Sequence, residues 1–148
     1  MPYLRITCPD VMREQRHRIA QLLTDAVNEL FFNPNSPVTR QELRERTTVH
    51  FAPYGDGDLF IGGRTPSERG RTDITVELSD WSMSLRSQKK IARALTPVVA
   101  GAFSVPPDHL DGINIRFHSD PPTDFSVGGR LISEFVPFPA RLMKRIFG

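Results

Sequence analysis

One order of elements is written twice along this chain, and that duplication constrains the fold more than any single motif. Tyr3-Leu4-Arg5-Ile6-Thr7-Cys8 alternates as a strand with Leu4 and Ile6 on one face. A helix is expected from Met12 to Phe31, because Ile19, Leu22, Leu23, Ala26, Val27 and Leu30 recur at helical spacing. Asp10 stands where an N-cap belongs. After the polar loop Asn33-Pro34-Asn35-Ser36-Pro37 comes a strand over Thr47–Ala52, and the unit closes in Phe60-Ile61-Gly62-Gly63. The second half repeats the order. It has a strand at Asp73–Leu78, a helix at Ser84–Phe103, a strand at Ile113–His118 and a close in Phe125-Ser126-Val127-Gly128-Gly129. The second helix carries Ile91, Leu95, Val98, Val99, Ala102 and Phe103 on one face, and Pro97 is expected to kink it or interrupt its hydrogen bonds. The two glycine pairs stand 66 positions apart. The same offset carries Val49 to Ile115 and Phe51 to Phe117, and it sets His50 opposite Arg116.

Two parallel β-α-β units of this size join into one four-stranded sheet with both helices on one face and right-handed crossovers. The predicted repeats are 2–63 and 72–130, within a single domain spanning 1–148. The other sheet face, taken to carry Ile6, Val76 or their neighbours, then needs a cover. That predicts an oligomer whose sheets pack together. The tail from 131 to 148, with Phe135, Phe138, Leu142, Met143, Ile146 and Phe147, is read as a further subunit contact.

Composition narrows the classes of function. No apolar run approaches the ~20 residues that a bilayer span requires, and no basic-then-apolar leader opens the chain, so a cytoplasmic, non-membrane protein is expected. Cys8 is the single cysteine, which excludes an internal disulfide framework. The 148 residues carry 19 Lys and Arg, nearly all of them arginine, for a net charge of +2. Arginine's rigid fork suits carboxylate or phosphate, although interface ion pairs or a GC-rich genome give the same bias. No dense basic run of the kind that follows a nucleic-acid backbone is present. His17, His50, His109 and His118 lack metal-ligand spacing, and Gly55-Asp56-Gly57-Asp58 reads as a turn, so neither a metal nor a cofactor is expected.

The Met1-Pro2 start, the paired β-α-β units and the Phe-x-x-Gly-Gly ends together resemble the tautomerase superfamily. The resemblance covers roughly residues 2–135. The single repeat is similar to 4-oxalocrotonate tautomerase. The fused length is similar to cis-3-chloroacrylic acid dehalogenase and malonate semialdehyde decarboxylase, and Asp124-Phe125-Ser126 with Gly129-Arg130 looks nearest the decarboxylase branch. The resemblance implies an α+β fold assembled as a homotrimer. It also implies removal of Met1 to leave Pro2 as a secondary amine. Thr72 or Asp73 stands where the second unit would need its proline, which leaves one amine site per chain.

A terminal amine titrates near ~7.7–8.0 when unperturbed, so a dry pocket with nearby arginines leaves it neutral and able to shuttle a proton. Held as ammonium, it serves as an acid instead. If Met1 stays attached, the Pro2 nitrogen is an amide and has no basicity. The family's substrates are carboxylates, and Arg116 is the first candidate clamp, with an interface ion pair as the other reading. His50 is either a ligand group or a half-buried strand histidine. Phe125 matches the aromatic wall of the short tautomerase's pocket. Trp81 either walls the pocket or packs in an interface. Arg130 either reaches the site or pairs with Glu134.

The dehalogenase's arginine pair would fall at Trp81 and Ser84, the decarboxylase's at Ser82 and Ser84, and the dehalogenase's histidine at Val27. None of these is retained, and Arg86 is the nearest substitute. The expectation is therefore tautomerase-type proton transfer on a small 2-oxo or enol carboxylate. Hydratase, dehalogenase or decarboxylase chemistry on a small unsaturated or 3-oxo acid is the alternative at the same site. A non-catalytic trimer that keeps Met1 is the alternative from another class.

Overall fold

The computed structural model describes residues 1–135. The elements run β1 (Tyr3–Pro9), α1 (Arg13–Phe31), α2 (Arg40–Glu45), β2 (Thr48–Tyr54), α3 (Pro66–Arg69), β3 (Ile74–Trp81) and α4 (Leu85–Ala102). A 3-10 turn (Pro107–Gly112) then leads to β4 (Ile113–Asp120), the short pair β5 (Ser126–Val127) and β6 (Arg130–Leu131), and α5 (Ile132–Phe135). Most of the expected C-terminal contact tail, from 136 onward, lies outside the described residues.

The main sheet has the order β2-β1-β3-β4. β1 pairs parallel with β2 and β3 pairs parallel with β4, while the two units meet antiparallel where Leu4 faces Leu78 and Ile6 faces Val76. Each parallel pair is joined by a long helix, as a parallel connection requires. The core is a two-layer seam. Leu4, Ile6, Cys8, Ile74, Val76 and Leu78 from the sheet meet Ile19, Leu23 and Val27 of α1 and Ile91, Leu95 and Val99 of α4, all buried. Full burial of each such aliphatic contributes roughly 1.5–3 kcal/mol.

Both glycine pairs make the same kind of turn. Gly62 and Gly63 have φ of 60° and 74°, and Gly128 and Gly129 have φ of 58° and 80°. Two consecutive positive φ angles define the hairpin turn that glycine permits and a Cβ resists. The turns bring Ile61 to Arg64 and Val127 to Arg130.

α4 continues through Pro97 to Ala102. Two local expectations are corrected. Asp10 does not cap α1. Met12 occupies that position without a side-chain bond, and the Asp10 carboxylate pairs with the Arg16 guanidinium. Ile6 and Val76 do not face outward, because alternation sends them under the helices. The uncovered face carries Arg5, Thr7, His50, Thr75, Glu77, Asn114, Arg116 and His118 instead. That face is polar, and its centre is a row in which His50, Arg5, Glu77 and Arg116 are successive strand neighbours. Glu77 lies 3.7 Å from Arg5 and 3.7 Å from the His118 ring.

Candidate active site

Pro2 precedes β1 and is held before any side-chain chemistry begins. Its carbonyl accepts a hydrogen bond from the Thr48 N–H at 3.0 Å, which extends the β1–β2 ladder by one rung. Its ring is fully buried. Pro2 opens onto a cavity of about 360 Å³ that Tyr3, Arg46, Asp80, Trp81, Asp120 and Phe125 also line.

Each wall has a local cause. Parallel pairing of Tyr3 with Thr48 places the two residues before β2, Arg46 and Thr47, beside the chain start at Met1 and Pro2. Arg46 closes α2, a short helix fixed by a capping box in which Thr39 and Glu42 exchange hydrogen bonds. The Thr39 backbone N–H, and then its hydroxyl, hold the Glu42 carboxyl below its ordinary range. Glu42 is thus an anion, 4.0 Å from Arg46 across an exposed i,i+4 pair. Trp81 ends β3, and Asp120 is its partner at the end of β4. Phe125 follows β4, where its carbonyl accepts the Ile132 N–H at 2.9 Å.

Asp80 is the least expected member. It continues the inward series Ile74, Val76, Leu78 of β3, and its side chain is only 3% exposed. The antiparallel register pairs Tyr3 with Ser79, so one step further Asp80 faces Pro2. The Met1 ammonium donates to the Asp80 carboxylate at 2.6 Å. A buried carboxylate at the chain's amino end is a charge requiring a partner.

Among the predicted site residues, Pro2, Phe125 and Trp81 meet at this cavity. Arg116, Arg86 and His50 lie outside it in their own chain. Arg116 is exposed on the open sheet face beside Glu77, and Arg86 is exposed in the first turn of α4. His50 reaches the site only indirectly, through a 2.8 Å hydrogen bond between its Nδ1 and the Tyr3 hydroxyl. Arg130 lies 3.5 Å from Glu134. Arg46, Asp80 and Asp120 escaped the sequence reading, although two signals pointed to them. Arg46 stands two residues before β2, the strand parallel to the one Pro2 leads into, and Asp80 is an acid on the apolar side of an alternating strand.

A second cavity, of about 550 Å³, lies at the other end of the sheet, where Pro9 and Tyr54 meet Arg71, Thr72 and His109. The start of β3 in the second unit corresponds to the start of β1 in the first. Here the chain is continuous through Thr72 and Asp73, so no terminal nitrogen exists. The Tyr54 hydroxyl donates to the Asp73 carbonyl at 2.7 Å, and Arg69 holds the Asp73 carboxylate at 2.7 Å. Among the described residues no group of His, Cys, Asp or Glu is arranged to hold a metal ion. No helix of the described residues is long and apolar enough to cross a membrane.

No protein-family model matches the chain, and no curated protein sequence matches it. Solved structures do match. The asymmetric trimer of F6 fused 4-OT superposes with a TM-score of 0.73 at 16% identity, over 91% of this chain and 99% of that one. Pt0534, solved after inactivation by 2-oxo-3-pentynoate, gives 0.72 at 12% identity over 91% and 99%. N1, of the cis-3-chloroacrylic acid dehalogenase family, gives 0.66 at 18% identity over 96% and 97%. The fold is that of the tautomerase superfamily. In this chain Pro2 lies at a cavity, and the guanidinium that lines it is that of Arg46, from the α2–β2 junction.

Proposed function

We propose that the chain, once Met1 is removed, transfers protons on a small 2-oxo or enol carboxylate with Pro2 as the proton carrier. One observation carries this reading: the residue that becomes the amino terminus is locked at a cavity shared with a guanidinium and three aromatic residues, Tyr3, Trp81 and Phe125. A secondary amine fixed by its own backbone needs no side-chain ordering before it acts. Arg46 supplies a fork for the substrate carboxylate, and Trp81 and Phe125 flank the reacting carbons. In the ketonising direction a proton passes from Pro2 to carbon, and the enol O–H proton returns to Pro2 nitrogen. The same parts serve a hydratase, dehalogenase or decarboxylase on an unsaturated or 3-oxo acid. The tautomerase reading has support in Pt0534, a neighbour inactivated by a small 2-oxo acid. Assembly as a homotrimer belongs to the proposal. It is supported by the trimeric F6 fused 4-OT and by the edge strands β2 and β4, which no other strand covers among the described residues.

A second reading rests on the Met1 ammonium set 2.6 Å from Asp80. A chain that keeps its methionine would use that pair to anchor its terminus, and the trimer would then be non-catalytic. The experiment is ketonisation of 2-hydroxymuconate and of enol phenylpyruvate by protein whose intact mass proves a Pro2 terminus. A turnover that drops at least tenfold in Pro2→Ala, together with a kcat/KM that drops at least tenfold in Arg46→Ala, supports the enzyme. Absence of turnover on both compounds ends this reading.

A further inference from the structure

We infer that Asp80 is a positioning residue that keeps the freed Pro2 imino group protonated at neutral pH, so that the site begins by giving a proton to substrate carbon. This inference rests on the proposed role of Pro2 and narrows the substrate to a carboxylate bearing an enol. A carbon acid, whose reaction begins by losing a proton to a neutral amine, is not selected.

Three observations carry it. The β1–β3 register puts Asp80 across from Pro2, on the same inward face of the sheet. The carboxylate already holds the chain's terminal ammonium at 2.6 Å while Met1 is present. Removing Met1 moves the terminal charge one residue closer to the strand pairing, not away from it. The carboxylate is nearly sealed from water, so its field at the amine is weakly screened. The other charged and titratable groups that line the cavity are Arg46, Asp120 and the Tyr3 hydroxyl. Arg46 opposes the ammonium, but its side chain is 50% exposed and lies 4.0 Å from Glu42. Asp120, at the end of β4, adds to the field of Asp80. The buried Asp80 carboxylate beside the chain start favours the charged amine.

The chemistry then balances without a co-reactant. The Pro2 N–H bond breaks as a C–H bond forms at the terminal carbon of the enol system. The π electrons shift to make the carbonyl, and the enol O–H proton passes to Pro2 nitrogen and restores the ammonium. No group is oxidised or reduced.

The test is a ¹⁵N NMR titration of proline-labelled, Pro2-terminal protein, with the free peptide of residues 2–8 as reference. The expected result is a Pro2 protonation constant at least tenfold above the peptide's. It falls to or below the peptide's value in Asp80→Asn and recovers in part in Asp80→Glu. A wild-type constant at or below the peptide's, or one unmoved in a folded Asp80→Asn, overturns the inference. If Asp80→Asn does not fold, the wild-type comparison with the peptide decides alone. The titration reads no turnover, so the two ideas fail separately. A raised constant in a chain inactive on every probe keeps Asp80 in its role and ends the enzymatic reading, whereas a lowered constant in an active chain does the reverse.

Discussion

Arg46→Ala separates substrate binding from folding in a single substitution. Arg46 lines the Pro2 cavity and belongs to no strand or core cluster. A hydrogen bond to a charged group is worth ~1.5–3 kcal/mol, and a side chain half in water takes the lower end of that range. With tenfold per ~1.4 kcal/mol, KM should rise roughly 10- to 30-fold for a 2-oxo or enol carboxylate. The rate at saturation should change less, because the clamp holds ground state and transition state alike. The thermal midpoint should stay where it is, since the exposed pair with Glu42 is screened by water. Arg46→Lys keeps the charge, loses the fork, and should fall between the two. The assay is steady-state ketonisation by Pro2-terminal protein, with a melting curve on each variant. A KM within twofold of wild type refutes the argument that this guanidinium binds the carboxylate.

Four further outcomes follow from the same geometry. Leu95→Ala, at a fully buried α4 position, should cost about 2–5 kcal/mol in denaturant unfolding; a loss near zero would contradict the two-layer core. Gly112→Ala should also destabilise, because its Cβ would stand 2.6 Å from the Thr72 backbone oxygen, and overpacking of this kind costs roughly 1–3 kcal/mol. Burial raises the Cys8 thiol from 9.0 to about 11. The unfolded chain therefore ionises first, and the stability Cys8 contributes is whole below pH 9 and lost as pH rises toward about 11. Desolvation pushes Tyr54 upward as well and adds to the same slope. Cys8→Ala should flatten the alkaline fall of the unfolding free energy, and an unchanged slope would show that the thiol contributes nothing. Finally, 2-oxo-3-pentynoate at alkaline pH should label the Pro2 peptide of the processed chain, and peptide mass mapping that finds the adduct elsewhere would argue against an accessible amine.

The repeat was readable because its markers are backbone-driven. Only glycine sits easily at the two successive positive-φ positions of each turn, and Leu4, Ile6, Val76 and Leu78 alternate as a one-sided sheet demands. Pro2, Trp81 and Phe125, singled out by likeness of pattern, line one cavity. The charged part of the site was not. β3 was expected to stop at Leu78, where the apolar alternation stops, but the hydrogen-bonded strand continues to Trp81 and carries Asp80 inward with it. Arg116 and His50, read as repeat mates, both lie on strands, yet strand position alone does not say which end of the sheet holds the cavity. Both stand mid-strand on the open face, several residues from the end where Pro2 lies. The open face was expected to be apolar. It is instead a row of arginine, histidine and glutamate, which water or another charged surface can meet without a hydrophobic seal.

The central claim is that the Pro2 nitrogen itself carries the proton, and the most direct measurement compares two forms of one protein that differ by a single residue. Chain with Pro2 exposed and chain with Met1 retained, each verified by intact mass, are assayed side by side for enol ketonisation. The account predicts turnover in the first form and none above background in the second, whose Pro2 is an amide. Equal turnover in both forms would contradict it.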